Sequence, residues 1–503
     1  MKNLAHQNIL ILGLGASGLA LARWCARCGA RVTVADTRPA PPQLAALQAS
    51  VPNARFVNAA MDGELLGGEN FNLLLKSPGL SPVSISGVVA AARAQGIPCG
   101  NELSLFAQAL ADLQEDRGYT PRLIGITGTN GKTTVTAMTG QLVERAGKSV
   151  AVAGNIGPTL LDTLAEKLDA QANDEALALP EVWVLELSSF QLDGVTNFQP
   201  DVATVLNISQ DHLDWHETLP AYIAAKANIY GSAGLMLLNR DDPQVMAALP
   251  APVKGRQTRN YLTFGGDEPR RPGDYGIQTV NGMAWLVRAA EADETIKRRK
   301  AEELVLHIQR LMPLEALRIR GRHNATNALA ALGLAVAVGC PLAPMLHGLR
   351  EYRGEPHRVE SVAVLEGVEY FDDSKGTNVG ATVAALAGLG ADRKLVLILG
   401  GEGKGQDFSP LADPVARYVR AVVLIGRDAP VIRAALAGRQ IALLEAESMT
   451  QAVSLAAAQA HAGDAVLMSP ACASFDMFDN YEHRARVFCE AVQELAVEQG
   501  AVL

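Results

Sequence analysis

The chain has 503 residues, too many for one hydrophobic core, so about two to four domains are expected. Its 44 basic and 53 acidic residues leave a net charge of −9, which excludes a general electrostatic attraction to nucleic acid or to an anionic membrane. Hydrophobic residues make up 49%, which excludes wholesale disorder, and six cysteines in so long a chain do not make a disulfide framework.

The first predicted strand, "NILIL", runs into Gly13-Leu14-Gly15-Ala16-Ser17-Gly18 and then into an Ala/Leu-rich helix. A second strand, "RVTVAD", ends at Asp36, the spacing expected for a carboxylate that accepts from a ribose hydroxyl, and Arg38 adds a cation. Glycines at such a turn let the backbone approach phosphate at a helix N-terminus. The pattern alone suggests NAD, but a uridine diphosphate group needs the same turn. Cys25 and Cys28 form a C-x-x-C inside the helix; with no second pair at metal spacing, they read as helix packing. The apolar N-terminus is broken by glycines, lacks a secretory cleavage pattern and contains no run long enough to span a membrane. A soluble, cytoplasmic protein is expected.

A polar stretch, "LQEDRGYTPR", precedes the second glycine block, "RLIGITGTNGKTT". It fails G-x-x-x-x-G-K-[ST] because Ile126 stands where the first glycine belongs. Strand, loop, Lys-Thr and helix nevertheless occur in order. Gly128, Asn130 and Gly131 can turn several N–H groups toward one anion, Lys132 can reach the outer phosphates, and the Thr133 hydroxyl can ligate magnesium. The strand "VWVLE" ends on Glu186, costly to bury unless it meets a cation. After the strand "VATVL", "NISQDHLDWH" offers Asp211, His212 and Asp214. In "AYIAAKANIY", Lys226 lies three and four residues from Ile223, Tyr222, Ile229 and Tyr230, so it projects from the apolar face. Two readings stand open there: a snorkelling lysine, or a desolvated amine that takes up carbon dioxide as a carbamate.

Residues 265–276 and the charge run 296–303 read as surface loops, and no role follows for the segment 265–320. "YRGEPHRVE" reads as a hinge before the last glycine block, "KLVLILGGEGKG". Apolar strands alternating with helices throughout predict an α/β protein with parallel sheets covered on both faces.

Taken together, "GTNGKTT", "GNIG", "ELSSFQL", "DHLDWH", "AAKANIY", "GRHNATNALAA", "EPHRVE", "DDSKGTN", "GGEGKGQDF" and "SPACASFDMFDNYEHR" resemble the Mur ligase family of ATP-dependent amino-acid ligases of peptidoglycan synthesis. The C-terminal motifs, with "GLGASG" and "ADTR", are most similar to its D-glutamate-adding branch. The resemblance implies three domains: a Rossmann-like UDP-substrate domain (1–117), a central P-loop ATPase domain with a mostly parallel sheet (118–355), and a Rossmann-like domain for the incoming amino acid (356–503). It implies that the first block holds UDP rather than NAD, and it favours the carbamate at Lys226.

The implied substrates are ATP, UDP-N-acetylmuramoyl-L-alanine and D-glutamate. Magnesium is implied at two sites, held by Thr133, Glu186, His212 and carbamylated Lys226, with Lys132 as the catalytic cation. Gly128, Thr129, Asn130, Gly131, Lys132, Thr133, Thr134, Asn327, Arg358 and Asp373 are implied to contact the nucleotide. Ser17, Asp36, Thr37, Arg38, Ser77, Asn155 and Gln191 are implied to contact the UDP-linked substrate. Lys375, Thr377, Ser474 and Tyr481 are implied for D-glutamate, Tyr481 standing where the family has an aromatic residue, often Phe. A monomer with no nucleic-acid or membrane partner is expected. Arg358 is expected to reach the nucleotide only when the C-terminal domain closes.

Overall fold

The computed structural model describes residues 4–174, 176–291, 306–319, 321–390 and 393–500; the charge run 296–303 lies outside them. The first sheet contains β1 (Asn8–Leu12), β2 (Arg31–Asp36), β3 (Arg55–Asn58), β4 (Leu73–Lys76) and β5 (Cys99–Asn101), all parallel, in the order β3-β2-β1-β4-β5. β1 is apolar on both sides: Ile9 and Ile11 pack beneath α1 (Ala16–Arg27), while Leu10 and Leu12 enter a separate cluster on the opposite face. The chain order reverses between β1 and β4, so the Gly13–Gly15 turn and Ser77 flank the crevice where such sheets take ligands. Gly18 has a steric reason: a Cβ there would lie 2.0 Å from the Gly13 carbonyl oxygen. Burial raises both the Cys25 and Cys28 thiols above the usual range, in keeping with packing rather than metal ligation. α2 (Glu102–Arg117) starts on a capping box between Asn101 and Ser104 and leads to the second sheet.

That sheet has β6 (Arg122–Thr127), β7 (Val150–Gly154), β8 (Val182–Glu186), β9 (Val202–Val205), β10 (Leu235–Asn239) and β11 (Tyr261–Phe264), parallel in the order β11-β10-β9-β6-β8-β7. α3 (Lys132–Arg145), α4 (Leu160–Asn173) and α5 (Leu219–Ala227) follow β6, β7 and β9. Because β6 lies between β8 and β9, the loops leaving the three strands converge at one end of the sheet.

One apolar cluster runs from the first sheet into the second, through α1, α2 and α4. At its centre Trp183 is fully buried, meets Phe106 edge-on at 5.2 Å between ring centroids, and donates its indole N–H to the Tyr119 hydroxyl at 2.8 Å. Trp183→Ala leaves an indole-sized void and takes one donor from the Tyr119 hydroxyl, which keeps its own bond to the Pro180 carbonyl at 2.6 Å. A loss of about 3–5 kcal/mol is expected, read as an earlier denaturant midpoint of the unit containing the first two sheets.

Much of the segment without an assigned role is a three-stranded antiparallel sheet, β12 (Tyr275–Val280), β13 (Met283–Glu291) and β14 (Leu306–Pro313). Asn281 and Gly282 both have positive φ, the conformation a two-residue hairpin turn requires. The loop reading of 265–276 fails at its end. Asp274 and Tyr275 are buried, and Asp274 accepts the Thr263 N–H at 2.7 Å. This sheet packs with α6 (Arg322–Ala337) on the second face of the central sheet.

The last sheet has β15 (Glu360–Leu365), β16 (Val368–Asp372), β17 (Leu395–Gly400), β18 (Val419–Ile425), β19 (Ala442–Glu445) and β20 (Ala465–Met468), in the order β15-β16-β20-β17-β18-β19. β15 and β16 are antiparallel; the other pairs are parallel. Its faces carry their own clusters, covered among others by α7 (Val379–Leu389) and α8 (Tyr481–Glu498). Among the described residues no helix is long and apolar enough to cross a membrane.

Candidate active site

The loop after β6 is built to leave main-chain N–H groups for an anion. Gly131, at φ +83°, is the N-cap of α3, and no side chain caps the helix. A Cβ at Gly131 would lie 2.9 Å from Asn327 Oδ1, so glycine is required by both conformation and space. Asn207, just after β9, clamps the loop: its side chain accepts the Asn130 N–H at 2.8 Å and donates to the Asn130 carbonyl at 3.0 Å. Thr129 Oγ accepts the Ser209 N–H at 3.0 Å and lies 2.9 Å from the Tyr222 hydroxyl. The missing glycine at 126 costs nothing, because Ile126 is a buried residue of β6 and the loop starts two residues later.

Lys132 arches back over the loop and donates to the carbonyls of Gly128 and Thr129, both at 2.9 Å. Lys226 is 2% exposed, so it does not snorkel. Its Nζ donates to Gly128 O at 2.9 Å and approaches Thr127 Oγ at 3.3 Å; among the described residues no carboxylate is bonded to it. Burial, then the neighbouring charge of Lys132, holds the Lys226 ammonium well below the usual lysine range, and burial lowers Lys132 too. Glu186, at the end of β8, is 1% exposed; Oε1 accepts from Asn155 Nδ2 at 3.0 Å, and Oε2 is buried with no hydrogen-bond partner. His212 sits in a left-handed conformation before a short helix, edge-on to Phe190 at 4.7 Å. Its pKa is lowered, first by burial, against the opposing pull of Asp211, with Lys132, Lys404 and Lys226 adding to the lowering. Asp211 accepts from Asn378 Nδ2 at 3.2 Å.

Asn130, Gly131, Thr134, Asn327, Arg358 and Asp373 line one pocket between the central and last sheets. Arg358 Nη2 donates to Thr133 Oγ at 3.0 Å, so in this arrangement it already reaches the loop. Asn378 bridges Asn130 and Asp211 and also caps α7. Asp373 is buried, accepts from Ser469 Oγ at 2.6 Å, and is pushed up to about 7 chiefly by burial. His323 lines the same pocket, its pKa lowered to about 4 by burial and its Nδ1 without a partner.

The residues expected for the amino acid are gathered around α8. Lys375 Nζ lies 5.1 Å from the centroid of the Tyr481 ring, and Ser374 Oγ donates to the Tyr481 carbonyl at 2.7 Å. Arg484, buried in α8, holds two loops together. It donates to Ser374 O at 2.7 Å and to Cys472 O at 3.1 Å. Ser474 is buried two residues beyond Cys472, and Thr377 is half-buried beyond Lys375.

Of the residues expected for the UDP-linked substrate, Ser17, Asp36, Thr37, Arg38 and Ser77 lie at the first sheet, whereas Asn155 and Gln191 lie in the central unit beside Glu186 and after β8. Asp36 is 3% exposed and fully engaged: it accepts from the Leu14 N–H at 2.8 Å, the Arg38 N–H at 2.9 Å, and the Arg38 guanidinium at 2.9 and 2.8 Å. The Arg38 guanidinium, first of all, holds its pKa down to about 2. Asp36 therefore shapes the turn and aims Arg38 rather than offering a free acceptor. Thr37 is exposed beside it, and Ser77 is buried across the crevice from Gly13. Asn155 also donates its N–H to the Glu186 carbonyl at 2.8 Å, and Gln191, in the short helix after β8, accepts Asn101 Nδ2 on its carbonyl at 2.8 Å.

Sequence reasoning missed Asn207, Asn378, His323, Lys404 and Arg484. Asn378 and Lys404 stood inside quoted glycine-rich motifs, and Lys404 has φ +52°, a backbone geometry more typical of glycine. Asn207 opens the quoted "NISQDHLDWH", His323 lies in "GRHNATNALAA" and Arg484 ends "SPACASFDMFDNYEHR", but no residue type or spacing there points to their roles.

Comparison with known proteins identifies the family. Residues 7–100 match the family model described as Mur ligase MurD-like, N-terminal domain. Residues 126–335 match the Mur ligase middle domain, and 357–472 the Mur ligase glutamate ligase domain. A UDP-N-acetylmuramoylalanine–D-glutamate ligase of Albidiferax ferrireducens is 67% identical over 100% of this chain and 99% of its own. One of Burkholderia thailandensis is 56% identical over 98% of each. Among solved structures, a MurF ligase of Thermotoga maritima in complex with ADP shares the fold at TM-score 0.57 and 15% identity, covering 99% of this chain and 97% of that one. A pseudomurein peptide ligase of Methanothermus fervidus does so at TM-score 0.55 and 16% identity, covering 97% and 100%. With three family models matched in order and relatives this similar along its whole length, the chain belongs to the Mur ligase family.

Proposed function

We propose that this chain joins D-glutamate to UDP-N-acetylmuramoyl-L-alanine at the expense of ATP, in peptidoglycan precursor synthesis. The observation that carries the reading is the convergence of an uncapped helix N-terminus, a buried carboxylate with a free oxygen and two desolvated lysines at the ends of β6, β8 and β9. A carboxylate is a poor electrophile, so the alanyl carboxylate first attacks the γ-phosphorus of ATP. The bond to the β-phosphate oxygen breaks, and ADP and an acyl phosphate form. The deprotonated amine of D-glutamate then attacks the acyl carbon, and the C–O bond breaks to release inorganic phosphate.

Two anions must meet in the first step, so the residues supply positive charge where it develops. Lys132 exchanges its two carbonyl partners for phosphate oxygens, and the N–H groups from Asn130 onward cradle the same group. Arg358 brings a second cation from the last domain. Lys375, Thr377 and Ser474 suit a substrate with two carboxylates, as one cation and two hydroxyls. The donor set also fits magnesium in its chemistry: Glu186 Oε2 is buried without a partner, and Thr133 offers a hydroxyl and His212 an imidazole. Magnesium, when bound, neutralises phosphate charge and tethers nucleotide to acid substrate. A carbamate on Lys226 would convert a buried base into an oxygen donor toward the same ion, and the depressed lysine pKa leaves the neutral amine needed to form it.

Phosphate release in the presence of ATP, magnesium and UDP-N-acetylmuramoyl-L-alanine, with each D- and L-amino acid offered in turn, tests the reading. Release above background is expected with D-glutamate. Equal release with an L-amino acid, or none without a folate substrate, would assign the chain to another ligase sharing the same nucleotide loop.

A further inference from the structure

Asn378 is buried, and it makes bonds that the reaction above does not use. It is the N-cap of α7 in the last domain, where its Oδ1 accepts the Ala381 N–H at 2.9 Å. That bond fixes which way the amide faces. Nδ2 is left for the central domain, donating to Asn130 Oδ1 at 3.1 Å and to Asp211 Oδ2 at 3.2 Å. Asn130 Nδ2 returns a bond to Asn378 Oδ1 at 3.2 Å. One side chain thus joins the nucleotide loop, the residue before His212 and the start of α7. The backbone is shaped for the same contact. Gly380 lies in the first turn of α7, and a Cβ there would stand 2.9 Å from Ser209 Oγ and 3.2 Å from Asn130 Nδ2. Ala381 and Ala384 of this helix line the pocket that also holds Asn327 and Asp373, so a nucleotide in it touches α7 as well as its own loop. Lys375 and Thr377 lie just before Asn378 in the chain. The Val379 N–H donates to Gln406 Oε1 at 2.9 Å. Gln406 Nε2 in turn donates to the Ala471 carbonyl at 2.8 Å, three residues before Ser474. Lys375, Thr377 and the Ser474 loop are therefore all tied to the first turn of α7.

We infer, on the reading that the last domain takes D-glutamate, that Asn378 is a positioning residue that couples the amino-acid subsite to the nucleotide. A nucleotide that touches both the loop and α7 favours the arrangement in which α7 is docked on Asn130 and Asp211 over any in which it stands away. In the docked arrangement Asn378 sets Lys375, Thr377 and the Ser474 loop against the reaction centre. The subsite for the amine is therefore assembled once the nucleotide is in place. Such coupling is reciprocal: D-glutamate tightens nucleotide binding by the same factor as nucleotide tightens D-glutamate.

The factor is measured by titration calorimetry of a non-hydrolysable ATP analogue with magnesium into the full chain holding UDP-N-acetylmuramoyl-L-alanine, with and without saturating D-glutamate. Wild type is expected to bind the analogue about tenfold more tightly when D-glutamate is present. Asn378→Asp keeps an acceptor for the helix cap but loses both donations and sets a second carboxylate against Asp211. It is expected to bind the analogue with an affinity that D-glutamate changes by less than about twofold. In turnover its KM for D-glutamate should rise about tenfold while the KM for the UDP-linked acid follows wild type. Gly380→Ala removes no hydrogen-bonding group and favours the helix, yet its methyl group holds α7 off the loop, so the same loss of coupling is expected. A wild type on which D-glutamate has no effect, or an Asn378→Asp chain with the wild-type factor, would overturn the inference. Should that variant not fold, Gly380→Ala with the wild-type factor would overturn it equally. Wild type that does not turn over D-glutamate with the UDP-linked acid would instead overturn the functional reading beneath it.

Discussion

Lys132→Ala is expected to lower kcat by on the order of 10³-fold or more while the protein stays folded. The side chain makes two hydrogen bonds, both to main-chain carbonyls of its own loop. One of these carbonyls, Gly128 O, keeps Lys226 as a partner in the variant. The loop is otherwise held by Asn207 and Ser209, which the substitution leaves in place. The stability loss is therefore about 1–2 kcal/mol, the worth of two exchanged hydrogen bonds. The catalytic loss is larger because a desolvated cation acts on the phosphoryl group with no water to screen it. Single-turnover phosphate release and a thermal melt separate the two effects. A variant that melts like wild type and also turns over like wild type would remove Lys132 from the chemistry.

The second large effect is expected at Lys226. Lys226→Ala should be inactive to a similar degree, on the order of 10³-fold, if Lys226 carries the proposed carbamate, whose oxygen donors the variant cannot form. The fold should tolerate the change, since the wild-type amine is buried without a carboxylate partner and its removal relieves a desolvation cost. The space left by the lysine side chain beside Gly128 should admit short carboxylic acids, whose two oxygens mimic those of a carbamate. Acetate or propionate is expected to restore at least about tenfold of the lost rate, whereas Lys226→Arg, which fills that space, should not respond. A ¹³C-bicarbonate label should give a carbamate resonance in wild type and none in Lys226→Ala. Absence of both the resonance and the rescue would return Lys226 to a structural role.

Much of this was legible in the sequence because it rests on local pattern. "RVTVAD" is β2 to the residue, and the loop, lysine and helix of the second block fall as their order predicted. Helical spacing put Lys226 on the apolar face but left snorkelling open; its burial at 2% exposure, with Ile223 on the same turn only half-buried, came from the structure. What was not legible depends on chain segments meeting in space. Arg358 lies 225 residues from Thr133, and Asn378 lies 248 from Asn130; no periodicity encodes either meeting. The sequence likewise showed that Asp36 ends a strand but not that Leu14 and Arg38 would consume it. The hairpin at Asn281-Gly282 could have been read, since Asn-Gly between apolar runs is a strong turn signal. The charged surroundings of that segment obscured it.

The account stands on one physical claim, that main-chain N–H groups at the start of α3 hold the nucleotide's phosphates. A crystal structure with a non-hydrolysable ATP analogue, magnesium and UDP-N-acetylmuramoyl-L-alanine measures this directly. The account predicts phosphate density against the amides of residues 130–133, with the ammonium of Lys132 turned from the Gly128 and Thr129 carbonyls toward it. Nucleotide density at another position, with Lys132 still bonded to its own loop, would contradict it.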